Sequence, residues 1–275
     1  MTPRIVWNRV YGDFLMPSRL DSYRRLIESA LRADYEVTSI ERFWQLTTNS
    51  AIDPAQRYLI LRHDVDTDPR TAGAMWQIDQ ALGANGSYFF RLSTLNVGLM
   101  QIISDAGGQA SYHYEELAAL AKRRHLRDPE DVIRAIPEAQ DCFRRNLERL
   151  RALSGLPMRV VAAHGDFVNR KLGISNETIL ADPHFRRETG VELETSDDAF
   201  MCNVSTRHCD THHPQYWTSP GDPLGAIRRG EPVVYLLVHP RHWRVTRGEN
   251  ARDDIQRLRE EILYGFARSS TRGRA

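Results

Sequence analysis

Short apolar runs alternate with amphipathic stretches along nearly the whole chain, and this alternation narrows the fold more than any other feature. Apolar residues spaced three and four apart mark helices over 19–32, 39–45, 70–82, 97–106, 114–125, 129–153 and 253–266. Compact runs with strand character lie between them at 35–37, 58–61, 87–90, 109–112, 159–163 and 232–238, with weaker candidates at 192–195 and 200–204. Strands that alternate with helices imply a parallel sheet or a barrel. No internal repeat and no long linker divides the 275 residues, so one domain over 1–275 is expected, with a disordered basic tail at 267–275.

Composition excludes several classes. With 41% hydrophobic and 27% charged residues the chain is neither disordered nor membrane-like. A formal net charge of +1 creates no field that would draw nucleic acid or anionic lipid. No stretch approaches the roughly 18 uninterrupted apolar residues of a membrane span. The first residues, broken by Arg4, Asn8, Arg9 and Asp13, lack the apolar segment of a signal peptide. Three cysteines, Cys142, Cys202 and Cys209, form an odd set, which without an export signal predicts a reducing, cytoplasmic setting. Cys202 and Cys209 are close enough in sequence to share a metal, although no second pair accompanies them. The cations are almost all arginine, with Lys122 and Lys171 as the lysines, a pattern read as compositional bias.

Functional residues on parallel α/β folds gather at the C-terminal ends of strands. Four strand ends carry reactive side chains. The run 58–61 leads into Arg62-His63-Asp64-Val65-Asp66, 109–112 into His113, 160–163 into His164-Gly165-Asp166, and 233–238 into His239-Pro240. Strand alternation puts Asp64 and Asp66 on one face. Two carboxylates and two or three imidazoles on one rim suit a divalent ion bound by nitrogen and oxygen. Each piece also has a structural reading: the acids can pair with Arg62, Arg70 or Arg91, His113 can be a satisfied core histidine, His164 a turn residue, and His239 a strand terminator. His125, His184, His208, His212, His213 and His242 read as surface or loop residues, His212-His213 being a weak metal-binding tract.

The stretches LRHDVD (61–66), SYFFRLST (87–94), AGGQASYHYEEL (106–117), AAHGDF (162–167) and LLVHPRHW (236–243) together resemble the polysaccharide deacetylase superfamily, the NodB-homology or carbohydrate esterase family 4 enzymes, in the branch whose first motif reads RHDVD. The resemblance spans roughly 58–243. It implies a distorted (β/α)7 barrel with one divalent metal ion, zinc, in its mouth, and hydrolysis of an acetyl group on a sugar. By motif, Asp64 corresponds to the general base, Asp66 to the metal-binding acid, His113 to the first of two histidine ligands and His239 to the general acid. The second histidine of the HxxxH pair is absent, since Leu117 stands four residues after His113. His164 is the expected third ligand, with Glu115 and Glu116 in reserve. Arg62 or Arg91 is expected to hold Asp64 ionised, and Arg62, Arg91, Tyr112, Trp217 and Trp243 are expected around the sugar. An acetylated sugar of a surface polysaccharide such as O-antigen is the implied substrate. Removal of a formyl group from an amino sugar is the nearest alternative, and a catalytically inactive carbohydrate-binding barrel, which the Leu117 departure favours, is the alternative of another class.

Overall fold

The computed structural model describes residues 7–8, 10–210, 217 and 221–266. Eight parallel strands form one sheet: β1 (Tyr35–Thr38), β2 (Arg57–Val65), β3 (Ser87–Phe90), β4 (Gln109–Tyr114), β5 (Val160–Ala163), β6 (Leu193–Glu194), β7 (Thr206–Cys209) and β8 (Val233–Val238). Seven run in the order β6-β5-β4-β3-β2-β8-β7, and β1 lies beside the first half of β2. Strand β2 is the centre of this arrangement. Tyr58 to His63 pair with Val233 to Val238 on one side, while on the other Arg57 to Ile60 face β1 and Arg62 to Val65 face β3. Every β2 residue after Arg57 is buried.

The sheet curls into an open, distorted barrel with helices around it. Tyr58 and Ile60 pack with Phe89, Val160, Ala162, Leu193, Tyr235 and Leu237 from four other strands, so one face of the sheet encloses a common core. The helix Ile40–Thr48 closes its N-terminal end: Ile40, Phe43 and Leu46 enter this core, and the Phe43 ring lies 5.3 Å from Tyr58 and 6.0 Å from Phe200. The outer face is covered by Tyr23, Leu26 and Ile27 of the helix Leu20–Arg32, and by Met75 and Ile78 of the helix Pro69–Ala81, against Leu59 and Leu61. Each such side chain contributes about 1.5–3 kcal/mol on burial. With its lower end filled, the barrel can open only at the C-terminal ends of its strands. No helix among the described residues is long and apolar enough to cross a membrane.

The seven-strand path matches the expected barrel, but several boundaries differ. Strand β2 runs through Val65 and β4 through Tyr114, so Asp64 and His113 lie within strands rather than after them. Pairing of Tyr114 with Ala163 keeps the aromatic-rich segment extended where helical spacing alone would start a helix. The helix over 129–153 is two helices, Pro129–Arg134 and Ile136–Ser154, because Pro137 has no N–H to continue the first and sits instead in the first turn of the second. The strand expected at 200–204 is replaced by the helical turn Asp198–Met201, and the strand is β7, whose Arg207 and His208 hide it from an apolar-run search. His208 is buried, not a surface residue, and its Nδ1 is 2.7 Å from the Gly221 carbonyl. The closing helix begins earlier than expected, at Arg247. The expected tail at 267–275 and the His212-His213 tract lie outside the described residues.

His63 and Asp68 prove structural. His63 points to the outer face of β2, fully buried, with its ring stacked 3.9 Å from that of Tyr88. Its Nδ1 lies 3.2 Å from the Ser87 carbonyl and its Nε2 2.8 Å from the Tyr23 hydroxyl. The hydroxyls of Tyr23 and Tyr88 each donate to Asp79 at 2.6 Å. Asp68 caps the helix Pro69–Ala81, accepting from Arg70 N, Thr71 N and the hydroxyls of Thr71 and Thr246. These bonds anchor β2 and the turn behind it.

Burial pushes His63 down to about 3 and Asp79 up to about 7. The two act on stability with opposite signs. His63 lies below its unfolded value, so its contribution rises with pH between about 3 and 6.5. Asp79 lies above its unfolded value, so its contribution falls as pH rises from about 4 to 7. Asp79→Asn removes the second slope alone. The stability difference between variant and wild type, measured by urea unfolding, should therefore shift in the variant's favour from pH 4 to pH 7. A difference independent of pH across that window would contradict the assignment.

Candidate active site

Alternation along β2 sends Arg62 and Asp64 into the barrel above Ile60. Arg62 clamps Asp64 with two parallel bonds, Nε to Oδ1 at 2.7 Å and Nη2 to Oδ2 at 2.8 Å. Its remaining donors reach Thr195 Oγ1 at 2.8 Å and the Tyr235 hydroxyl at 3.1 Å. Burial alone would raise the Asp64 carboxyl, but Arg62 foremost, then His113 and His239, hold it below the usual range. Asp64 is thus held as an ionised acceptor within 3.5 Å of His113 Nε2.

Asp66 follows the end of the strand. Its N–H bonds the Asp64 carbonyl at 3.0 Å, and this tight turn tips its side chain toward two histidines. Oδ1 lies 3.3 Å from His113 Nε2 and 3.2 Å from His164 Nδ1, and those two nitrogens are 3.3 Å apart. The three atoms make a nearly equilateral triangle. Around a tetrahedral ion with ligands at about 2.0–2.1 Å, neighbouring ligands stand about 3.3–3.4 Å apart. Two further observations fit an ion there. Asp66 Oδ1 is buried without a hydrogen-bond partner among the described residues, a costly state for a carboxylate oxygen. His113 Nδ1 lies 3.0 Å from the Ala162 carbonyl, which can only accept, so Nδ1 carries a proton and Nε2 is the nitrogen turned to the triangle. Burial opposes the charge on Asp66, yet His164 and His113 hold its carboxyl well below the ordinary range.

His164 is aimed by its backbone. Its N–H bonds the Tyr114 carbonyl at 2.8 Å and its carbonyl accepts from Asn176 Nδ2 at 2.6 Å. Leu117 is buried among the outer helices, so the position four residues after His113 faces the core and not the triangle. Glu115 is held by Arg91 at 2.8–3.1 Å, and Glu116 by Tyr112 and Asn146. Neither glutamate joins the triangle.

His239 stands across the mouth, with Nε2 3.9 Å from Asp66 Oδ2. Its Nδ1 is 2.7 Å from Oδ1 of Asp210, a fully buried carboxylate that also accepts from His239 N at 2.9 Å and Trp243 Nε1 at 2.8 Å. Burial would strip the proton from this ring, but Asp210 foremost, with Asp66 and Asp64, raises its pKa to about 10. His239 therefore presents an Nε2–H to the cavity at neutral pH. Cys209, Asp210 and His239 also cluster within 4.8 Å. The 2.7 Å contact in that group is shorter than an edge between two ligands of one ion, and it fits a hydrogen bond. Cys202 joins no metal-like cluster among the described residues.

A cavity of about 520 Å³ unites Asp64, Asp66, His113, His164 and His239. Other residues expected there are placed differently. Arg62 lines the cavity but is only 4% exposed and committed to Asp64. Arg91 bridges Glu115 and the Asp66 carbonyl, the latter at 3.3 Å, so it braces the turn. Tyr112 and Trp243 are each 1% exposed and turn no ring to the mouth. Trp217 leans on Trp243 with ring centres 6.0 Å apart. Asp210 and His242 are additions that sequence reasoning missed; His242 lines the cavity, 3.4 Å from Asp210. The strand-end rule applied to β7 selects Asp210, but β7 lacks the apolar run that announces a strand.

No protein-family model matches the chain, and no curated protein matches it. Two solved structures of the peptidoglycan deacetylase PdaC from Bacillus subtilis, one of them a substituted variant, align over 78% of this chain and 100% of their own. They are 14% and 13% identical, with TM-scores of 0.33 and 0.29. Overlap that slight bears on neither fold nor chemistry.

The triangle makes a direct forecast. Purified protein should hold one divalent ion per chain by elemental analysis, and Asp66→Ala and His113→Ala should each abolish it. Asp64→Asn should retain it, because Asp64 lies beside the triangle and not in it. Full metal content in Asp66→Ala would rule the site out.

Proposed function

We propose that the chain is a metal-dependent hydrolase that removes the acetyl group from an N-acetylated sugar. The observation that carries this reading is the triangle of Asp66, His113 and His164 set between an ionised carboxylate, Asp64, and a protonated imidazole, His239. Two imidazoles and one carboxylate at this spacing suit zinc. A divalent ion held there would polarise the amide carbonyl and acidify water.

The chain's own groups complete the chemistry. Each Asp64 oxygen holds one Arg62 bond and keeps a lone pair free to take a proton from attacking water. The clamp fixes where that lone pair points. On the far side His239 Nε2–H is placed to protonate the departing amine, which is a poor leaving group without it. Asp210 keeps His239 in the tautomer that can donate and steadies its charge. Such acid and base partners are each worth about 10²–10⁴ in rate. The motif resemblance to the RHDVD branch supports a sugar substrate and an acetyl group, and points to cytoplasmic assembly of a surface polysaccharide of the O-antigen type.

Acetate release from N-acetylated amino sugars, followed with metal and after chelation, tests the reading. Wild-type protein should release acetate only when metal-loaded. Asp64→Asn should bind metal yet lose about 10²–10⁴ of turnover, and His239→Ala should be slow on amides but much less so on activated aryl acetates. A fully active His239→Ala enzyme on an acetamido sugar would remove the acid role.

The pH profile separates Asp210 from a purely structural part. Activity falls on the alkaline side as His239 loses its proton. Because Asp210 is what raises His239 to about 10, Asp210→Asn should move the alkaline limb down by about one unit or more. The readout is the difference between the two proteins, since a neighbouring dication lowers the limb in both. An unmoved limb would mean that His239 is not the acid.

A further inference from the structure

The walls of the cavity carry more positive charge than they neutralise. Five arginines line it, and two are committed: Arg62 to Asp64, and Arg241 to Asp13 at 3.0 Å and Asp253 at 2.7 Å. Arg170, Arg207 and Arg257 remain. Arg170, on the helix Phe167–Leu172 that follows β5, has no side-chain partner among the described residues. Arg207, on β7, makes no ion pair there and lies over the Tyr235 ring at 5.6 Å, an arrangement that leaves the edge of its guanidinium open. Arg257, on the closing helix, reaches among the described residues only Glu261, one turn on, at 3.4 Å with both side chains 42% exposed. An exposed pair of this kind is weak and easily exchanged.

The carboxylates of the cavity do not balance these three. Asp13 and Asp64 are taken by arginines, and Asp66 belongs to the metal triangle. Glu177 is the remaining acid of the wall, and it makes no ion pair among the described residues. Five arginines against four carboxylates leave the wall one positive charge in excess, and Arg170, Arg207 and Arg257 are the guanidiniums not held by a carboxylate of the wall. They come from three separate elements around one mouth, a placement that surface arginines spread at random along a chain would not give. A second, smaller cavity of about 160 Å³ continues from the first and shares Asp66, His164, Arg170 and Arg257 with it. The charged wall is therefore continuous with the triangle.

We propose that the substrate bears a phosphate, which Arg170, Arg207 and Arg257 bind while its acetamido group lies at the metal triangle. Planar guanidiniums pair with phosphate oxygens through charge-assisted bonds, and a phosphate monoester near neutral pH carries about 1.5 to 2 negative charges to meet them. The inference rests on the deacetylase reading for the acetamido half and on the arginines alone for the phosphate half.

The two halves are separable by experiment. Binding of N-acetylglucosamine and of its 1- and 6-phosphates to the metal-loaded protein is measured by calorimetry, in wild type and in Arg170→Ala/Arg207→Ala, with folding checked by circular dichroism. One of the phosphates should bind wild type at least about tenfold more tightly than the neutral sugar, and the preference should shrink to about twofold or less in the double variant. Rising salt should erode the same preference, because the arginines stand in a solvent-open mouth. No preference in wild type, or one that survives the double substitution because the phosphate sits on the metal, overturns the proposal. Acetate release then judges the other half. Arginine-dependent phosphate binding without acetate release leaves this inference standing and removes the deacetylase reading. Equal release from neutral and phosphorylated sugars, with no arginine-dependent preference in binding, does the reverse.

Discussion

A guanidinium and a carboxylate buried inside a parallel sheet need each other, and the Arg62–Asp64 clamp is the contact on which the rest of the site depends. Each ion alone would lose several kcal/mol of hydration, and breaking such a pair typically costs about 3–5 kcal/mol. The pair is tolerated because four N–H groups of Arg62 are used, two on Asp64 and the two of Nη1 on Thr195 and Tyr235. The two-residue period of the strand does the rest. It places Asp64 above Ile60 inside the barrel, turns His63 outward to its tyrosines, and delivers Asp66 just past the last ladder bond, where its side chain is free to meet β4 and β5.

The same residue type takes two opposite states according to the charge of its acceptor. His113 donates its Nδ1–H to a neutral carbonyl, that of Ala162, which turns Nε2 toward the triangle. His239 faces a carboxylate, Asp210, and keeps both protons. The first is suited to bind a cation and the second to donate a proton. The two acids divide similarly. Asp64 takes one bond on each oxygen from a permanent cation, whereas Asp66 Oδ1 has no hydrogen-bond donor among the described residues. A site of five titratable groups thus reaches distinct roles through the partners behind them.

Much of this was legible in the sequence, for a physical reason. Strand ends in a parallel sheet converge, so reactive residues placed after apolar runs meet in space even when far apart in the chain. Asp66, His113, His164 and His239 were found that way; the alternation of elements implied a parallel sheet or a barrel, and the motif resemblance implied the seven-stranded barrel. Asp210 was not, because β7 has Arg207 and His208 where a strand search looks for valine or leucine. The aromatic residues misled for the converse reason: Tyr112 and Trp243 look like sugar platforms in a sequence, but their burial depends on helices packed from elsewhere in the chain. The roles of Asp68 as a helix cap and His63 as an outward core residue turn on one residue of register, which the run LRHDVDTDP alone does not specify.

The central claim is that Asp66, His113 and His164 form a metal centre. Anomalous X-ray diffraction from crystals of the metal-loaded protein, recorded on either side of the zinc edge, tests it most directly. The account predicts one strong peak about 2.0–2.1 Å from Asp66 Oδ1, His113 Nε2 and His164 Nδ1. A peak among Cys209, Asp210 and His239 instead, or none near Asp66, would contradict it.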